Sequence, residues 1–220
     1  MSDGVVGGES NKDDQSGEHF GLPNAWFVCA DEAPDEDFYQ TPRMVAHVDE
    51  ATLTALTEFY RSFIPPQSDV VDLMSSWISH LPAELPLGRV VGLGMNADEL
   101  AANTQLTEWS VQNLNEQPVL PYASASFDRA VIVVSIQYLR RPIDVLLSVH
   151  NVLREGAEIA IAMSHRLFPT KAIVAFQSLS VDERMNLVRY YLDKAGFREI
   201  KLIDCSPPNA DPLWIVTGKK

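Results

Sequence analysis

The sequence predicts an α/β fold in which a mostly parallel sheet is covered by helices on both faces. The chain has 220 residues, which suffices for one sizeable core or two small ones. Its 46% hydrophobic and 21% charged residues are typical of ordinary globular proteins. Seven short apolar stretches with strand character alternate with stretches at helical spacing. This alternation is the observation that indicates a parallel sheet between two helical layers.

Each element has a local signal. A helix is predicted to begin after Asp49, where leucine and aromatic residues recur at helical spacing, and to end before Pro65. Asn96 with Glu99, and Ser180 with Glu183, have the form of capping boxes that start two more helices. Shorter helices are predicted over residues 75–81 and 142–153. The predicted strands are residues 69–73, 89–93, 107–112, 127–135, 158–163, 197–203 and 213–217.

Charge is distributed unevenly along the chain. Thirty acidic and seventeen basic residues give a formal charge of −13. Ten of the acids and only one base, Lys12, lie in residues 1–40, so that segment carries −9 and the remainder −4. Residues 1–35 are predicted to be an acidic disordered tail, followed by one domain over residues 36–220 with an N-terminal cap at 38–65. The negative charge disfavours a nucleic-acid partner.

Composition also excludes several classes of protein. No apolar stretch approaches the ~20 residues of a membrane-spanning helix, so no membrane partner is expected. Two cysteines, Cys29 and Cys205, are too few for a disulfide scaffold or a cysteine zinc cluster. No two histidines have ligand spacing on one face, so no metal is assigned. We expect a cytoplasmic protein; a single disulfide and a homodimer both stay open.

Ligands of open parallel sheets bind beyond the carboxyl ends of the strands, where the direction of winding reverses. The segments after the first four predicted strands are therefore the candidate site: residues 73–76, 93–96, 112–115 and 134–138.

These segments and their neighbours resemble a known family. Residues 120–128 (LPYASASFD), 135–139 (SIQYL) and 149–156 (VHNVLREG) resemble the segments around strands four and five of class I S-adenosylmethionine-dependent methyltransferases. Residues 72–80 (DLMSSWISH), 92–96 (GLGMN) and 168–172 (FPTKA), with Phe38-Tyr39 and Pro42-Arg43, resemble a branch found in cyanobacteria and plants. The resemblance runs from about Phe38 to Val216.

The resemblance implies a Rossmann-like, doubly wound sheet of seven strands in the order 3-2-1-4-5-7-6, with the last strand antiparallel. It also implies S-adenosylmethionine as cofactor and methyl transfer to a small molecule. The residues that it places against the cofactor are Asp72, Leu73, Met74, Ser75, Ser76, Gly94, Met95, Asn96, Asn113, Leu114 and Ser135.

Three of these positions depart from the family pattern. The turn after the first strand has no glycine, and Gly94 stands where an acidic residue usually accepts the ribose hydroxyls. Asn113 stands where an acidic residue accepts from the adenine amine, and its amide oxygen keeps that capacity. Ser75 and Ser76, at a predicted helix start, are expected to replace part of the glycine turn. Asn96 or a backbone group is expected to replace the ribose carboxylate.

Methyl transfer from a sulfonium depends mainly on positioning, with a base only when the acceptor loses a proton. Tyr138, His80 and Arg43 are the predicted catalytic residues. Tyr138 and the cap would line the acceptor site, and Arg43 or Arg166 would bind an anionic acceptor. The alternative for all four is structural: a hydrogen-bonded histidine, a packed tyrosine and paired arginines.

Two other functions stay open. Residues 92–97 (GLGMNA) fit a dinucleotide fingerprint, although it follows the second strand and not the first. A protein that kept this scaffold and lost the chemistry, acting as a partner-binding module, would also show the departures described above.

Overall fold

The computed structural model describes residues 18–220, and its core is a mixed seven-stranded sheet. The strands are β1 (Val70–Leu73), β2 (Val90–Gly94), β3 (Glu108–Val111), β4 (Phe127–Val133), β5 (Leu153–Met163), β6 (Arg198–Asp204) and β7 (Trp214–Lys219). Their order is β3-β2-β1-β4-β5-β7-β6, and β7 is antiparallel to both neighbours while the other pairs are parallel. The predicted order and the antiparallel last strand are confirmed.

Helices cover both faces of this sheet, as predicted. They are α1 (Asp35–Tyr39), α2 (Glu50–Phe63), α3 (Ala97–Ala102), α4 (Pro142–Val152), α5 (Val174–Ser178) and α6 (Val181–Lys194). Leu56 and Tyr60 of α2 belong to one core cluster, with Val70 of β1. The buried residues of α4 and α6 belong to the other, with Val71 of β1. Because alternate residues of a strand face opposite sides, Asp72 lies on the α2 side of the sheet.

Local signals account for the helix starts. The Asp49 side chain accepts from the Thr52 N–H at the start of α2, and Ser180 and Glu183 form the predicted capping box of α6. At α3 the Asn96 side chain accepts from two backbone N–H groups, as predicted. Glu99 does not complete that box, because both of its carboxylate oxygens bind elsewhere. The capping box expected there is therefore only half formed.

The helix predicted over residues 75–81 is wrong. The chain from Met74 to β2 has no regular secondary structure. Side chains bind the polar groups of this segment instead. Asn103 donates to the Ser76 carbonyl and to Ser79 Oγ, and the Gln105 amide both accepts from the Leu81 N–H and donates to the Leu81 carbonyl. Serine and asparagine compete with helical hydrogen bonds in this way. No helix N-terminus therefore follows β1. Ser75 and Ser76 cannot replace part of the glycine turn through a helix dipole, as the sequence analysis expected.

The tail predicted over residues 1–35 extends too far. Residues 1–17 lie outside the described part of the chain, whereas the segment from Phe20 onward contacts the domain, with the Tyr190 hydroxyl donating to the Phe20 carbonyl. Phe27, in a short 3-10 helix (Asn24–Phe27), and Cys29 are buried. Asp35 is 5% exposed and joins three parts of the fold: it accepts from Asn115 after β3, pairs with Arg140 after β4 and pairs with Lys171 after β5. Buried charges are tolerated in proteins when they are paired in this manner.

The question that the sequence left open about the two cysteines is answered by the structure. Cys29 and Cys205 are both unpaired thiols, so the disulfide left open by the sequence does not form. Within residues 18–220, no helix is both long enough and apolar enough to cross a membrane.

Candidate functional site

A cavity of about 350 Å³ opens at the carboxyl ends of β1 to β4, where the sheet changes its winding direction between β1 and β4. This volume lies within the range of small-molecule sites, ~300–1,000 Å³. The predicted site residues that line it are Asp72, Met74, Ser75, Ser76, His80, Gly94, Met95, Asn96, Asn113, Leu114, Ser135, Tyr138 and Arg43. Leu73 does not line it, because its side chain is fully buried in the core cluster that contains α4 and α6.

The opposite wall of the cavity comes from the segment before α2 and from the loop after β5. Tyr39, Arg43 and His47 contribute from the first, and Arg166 and Phe168 from the second. Arg43, predicted from the sequence, is one of these lining residues, whereas the sequence did not single out Phe168. Aromatic side chains thus enclose one end of the cavity, while polar groups at the strand ends line the other.

Asp72 is a buried acid that holds the loop after β1. Its Oδ2 accepts hydrogen bonds from the hydroxyls of Ser75 and Ser79, each at 2.6 Å. The side chain lines the cavity although the residue is only 3% exposed. Burial raises the pKa of Asp72 to about 6, against the lowering effect of the two hydroxyls. The carboxyl group therefore titrates close to neutral pH.

The glycine-free loop leaves the cavity open. Met74 has a φ of +55°, and its side chain packs against the hydrophobic core. The next residue, Ser75, donates its N–H to the Leu93 carbonyl at 2.9 Å, so the loop lies against the end of β2. A Cβ placed on Gly94 would overlap the Ser75 carbonyl oxygen. An acidic residue at position 94 is therefore incompatible with this loop.

The same packing explains both glycines of the GLGMNA segment. A Cβ on Gly92 would overlap the Leu106 side chain, and one on Gly94 the backbone of the β1 loop. The dinucleotide fingerprint needs its glycines for the approach of a pyrophosphate. Here Gly94 is required by the backbone of the β1 loop and Gly92 lies against the Leu106 side chain, so the feature that suggested a nicotinamide nucleotide has another cause.

Asn96 is not available to replace the ribose carboxylate. Its amide nitrogen donates to the carbonyls of Tyr39 and Gln40, and its oxygen accepts from the N–H groups of Asp98 and Glu99. All of its donors and lone pairs are therefore used. Glu99 is the carboxylate that the sequence analysis assigned to a capping role. It lines the cavity, accepting from the Arg43 N–H at 2.7 Å and from the Ser76 hydroxyl at 2.6 Å.

Asn113, which follows β3, can still accept a hydrogen bond from a ligand. Its amide nitrogen donates to Glu36 Oε1 at 2.8 Å, and its oxygen accepts from the Asn115 N–H at 3.0 Å. An amide oxygen has two lone pairs, so one is left for a ligand.

Ser135, after β4, lines the cavity, and its buried hydroxyl has no hydrogen-bond partner. The preceding residue, Val134, has a φ of +46°, and His80 has a φ of +58°. A left-handed conformation is rare for a β-branched residue. With Met74, three non-glycine residues of the cavity lining have this conformation, and strained backbone of this kind clusters at functional sites.

Tyr138 and His80 are both uncharged at neutral pH. The Tyr138 hydroxyl accepts from the Phe168 N–H at 2.9 Å, its ring stacks on that of Phe168, and burial raises its pKa. Burial, with a smaller contribution from His47, lowers the pKa of His80 to about 4. A base with this pKa is a weak proton acceptor at neutral pH. The two side chains are therefore suited to position a ligand more than to move protons.

No protein-family model matches the chain, and no curated protein matches it. Solved structures share its fold. An S-adenosylmethionine-dependent methyltransferase from Mesorhizobium loti is 16% identical with a TM-score of 0.56, covering 76% of this chain and 100% of that one. Phosphoethanolamine N-methyltransferase 2 of Haemonchus contortus, solved with S-adenosyl-L-methionine, is 13% identical with a TM-score of 0.55, covering 77% of this chain and 52% of that one. The cyclase SpnF is 14% identical with a TM-score of 0.57, covering 75% and 80%.

The chain therefore has the fold of class I S-adenosylmethionine-dependent methyltransferases. The cyanobacterial and plant branch within that fold stays a prediction. The presence of a cyclase among the neighbours illustrates that one scaffold can hold different reactions, so the reaction must be argued from the site.

Proposed function

We propose that this protein binds S-adenosylmethionine in the cavity at the ends of β1 to β4 and transfers its methyl group to a small molecule. The observation that supports this most is Ser135, a residue of the cavity lining whose buried hydroxyl has no hydrogen-bond partner in the protein. Buried polar groups are nearly always hydrogen-bonded, so an orphaned one at the ligand end of a parallel sheet indicates a missing ligand.

The remaining polar groups of the lining fit a nucleoside joined to an amino acid. We assign the free lone pair of Asn113 to the adenine amine and the Glu99 carboxylate to the ribose hydroxyls, in place of Gly94 and Asn96. Ser135 and the end of β1 at Asp72 lie beside the amino-acid part in this assignment. When bound, the cofactor supplies an electrophilic methyl group on a sulfonium.

This chain's own residues then act mainly by enclosure and orientation. The aromatic wall formed by Tyr39, Tyr138 and Phe168 excludes water from the acceptor end of the cavity, and Tyr138 retains a hydroxyl proton that it can donate to an acceptor. Displacement at a methyl group needs an in-line arrangement of the two reactants, which positioning alone can favour strongly. We also propose a cytoplasmic protein, consistent with two unpaired thiols.

Calorimetric titration with S-adenosylmethionine and S-adenosylhomocysteine tests the proposal, with NAD and NADP as negative controls. The expected result is binding of the first two and not of the dinucleotides. Ser135→Ala should weaken binding by about 2- to 12-fold, the value of one ordinary hydrogen bond. Ser62→Ala, whose hydroxyl bonds a carbonyl on the exposed side of α2, is the matched control.

A partner-binding module without catalysis is the second candidate, and one observation favours it. The turn after β1 has neither a glycine nor a following helix, so the backbone amides that would hold the cofactor there are reduced in number. Absence of S-adenosylhomocysteine binding would select this candidate. Binding without methyl release to extracted metabolites would select a reaction other than methyl transfer.

A further inference from the structure

Two arginines line the cavity, and they differ in their partners. Arg166 donates from Nε to both oxygens of Asp211, at 3.1 and 3.0 Å, and is thereby neutralised. Within residues 18–220, Arg43 has no carboxylate within ion-pair distance of its guanidinium. Of the two arginines that the sequence suggested for binding an anion, only Arg43 has its charge available.

The Arg43 side chain is held in place without using most of its donors. Nη2 donates to the Phe38 carbonyl at 2.9 Å and Nη1 weakly to the Thr41 carbonyl at 3.5 Å. The guanidinium lies over the ring of Phe38 at 4.4 Å and near that of Phe168 at 5.4 Å. Three of the five N–H groups of a guanidinium therefore have no protein partner here. A planar group fixed by aromatic faces is preorganised to donate two parallel hydrogen bonds.

The acidic residues of the lining do not compensate this charge. Glu99 directs its oxygens at the backbone N–H of Arg43 and at the Ser76 hydroxyl. Asp35 is paired with Arg140 and Lys171, and Asp72 accepts hydrogen bonds from the hydroxyls of Ser75 and Ser79. An uncompensated guanidinium beside a partly apolar cavity favours an anionic ligand.

We infer that Arg43 determines the specificity of the acceptor site by binding an oxyanion, a carboxylate or a phosphate, carried by a small molecule with an apolar body that fits the aromatic wall. This inference rests on the proposed function, because it assumes that the strand-end side of the cavity is taken by the cofactor. It assigns no acid-base role to Arg43.

The test uses the full chain saturated with S-adenosylhomocysteine and three probes of similar shape: benzoate, phenyl phosphate and benzamide. Binding at millimolar concentration is measured by saturation-transfer NMR and by calorimetry. Either anion or both should bind more tightly than neutral benzamide, and the stronger of the two identifies the class of oxyanion. Arg43→Met should weaken that binding by about 10- to 150-fold, whereas Arg43→Lys should retain part of it. Arg141→Met, an exposed arginine paired with Asp144, is the control.

Three results would overturn the inference: equal binding of benzamide and the anions, unchanged anion binding in a folded Arg43→Met variant, or no anion binding to the wild type. A fourth result would also overturn it: an Arg43→Met variant that no longer binds S-adenosylhomocysteine but still binds 5′-methylthioadenosine, which lacks the amino-acid carboxylate. The arginine would then bind the carboxylate of the cofactor and not that of an acceptor. The wild-type titration with S-adenosylhomocysteine reports separately on the proposed function, and the anion probes can still be applied to the ligand-free protein.

Discussion

Replacing Asp72 with Asn should change how the stability of the protein depends on pH. In the folded protein the carboxyl group is buried, which raises its pKa from 3.8 to about 6. The folded state therefore binds the proton more tightly than the unfolded state, and protonation stabilises the fold. This contribution is fully present below about pH 4 and is lost as the pH rises through 6.

The size of the effect follows from the same two values. A pKa difference of about 2 units corresponds to about 3 kcal/mol of unfolding free energy between the fully protonated and the fully ionised limits of the folded and unfolded states. Roughly one third of it, about 1 kcal/mol, falls between pH 6 and pH 5, because the folded carboxyl group is half protonated at pH 6. His80 acts in the opposite direction over this range, because its pKa is lowered to about 4. The wild-type curve alone would therefore not isolate Asp72.

The measurement is urea unfolding of wild type and Asp72→Asn at several pH values, with the difference in unfolding free energy plotted against pH. We expect the wild type to gain stability relative to the variant as the pH falls from 7.5 to 4.5, since contributions common to both proteins cancel. Asp98→Asn, an exposed acid at the start of α3, is the control. A difference for Asp72→Asn that stays constant with pH would refute the assignment of a raised pKa to this group.

Three further predictions concern the packing of the site. Gly94→Ala should destabilise the protein by about 1–3 kcal/mol in the same urea assay, because its Cβ would overlap the β1 loop; an unchanged midpoint would show that this loop is free to move. Lys171→Met should cost about 3–5 kcal/mol, since it leaves the buried Asp35 with one cation fewer, whereas the exposed Arg141→Met should cost less than about 1 kcal/mol; equal costs would contradict the role of Asp35 in joining the segments after β3, β4 and β5. Ser135→Ala should leave the thermal midpoint of the ligand-free protein unchanged or raise it, because the hydroxyl has no partner to lose; a clear loss of stability would mean that the hydroxyl is bonded within the protein.

The sheet was predictable from the sequence for a physical reason. Strands such as β1 and β4 are buried on both faces, so their apolar runs are nearly continuous and their positions are fixed by composition alone. The strand order was predicted from the resemblance, since pairing across the sheet leaves no local signal. The positions of the site residues followed from the order, because parallel strands bring their carboxyl ends together.

The details of the site were less predictable because they depend on contacts between distant segments. The segment that contains Ser75 and Ser79 has the composition of a short helix. The buried carboxylate of Asp72, however, accepts hydrogen bonds from both serine hydroxyls, and these bonds compete with those of a helix. Asn96 and Glu99 have the spacing of a local capping box, whereas Glu99 binds the backbone of Arg43 in the cap, 56 residues earlier in the chain. Asp35 lies in an acidic segment that resembles a solvated tail until its partners Arg140 and Lys171 are known.

Titration of the wild-type chain with S-adenosylhomocysteine tests the central claim most directly. We predict binding at one saturable site. Ser135→Ala should lower the affinity for S-adenosylhomocysteine, and Ser62→Ala should leave it unchanged. A flat titration at millimolar ligand, from protein that unfolds cooperatively, would contradict the proposal that this cavity holds a nucleoside joined to an amino acid.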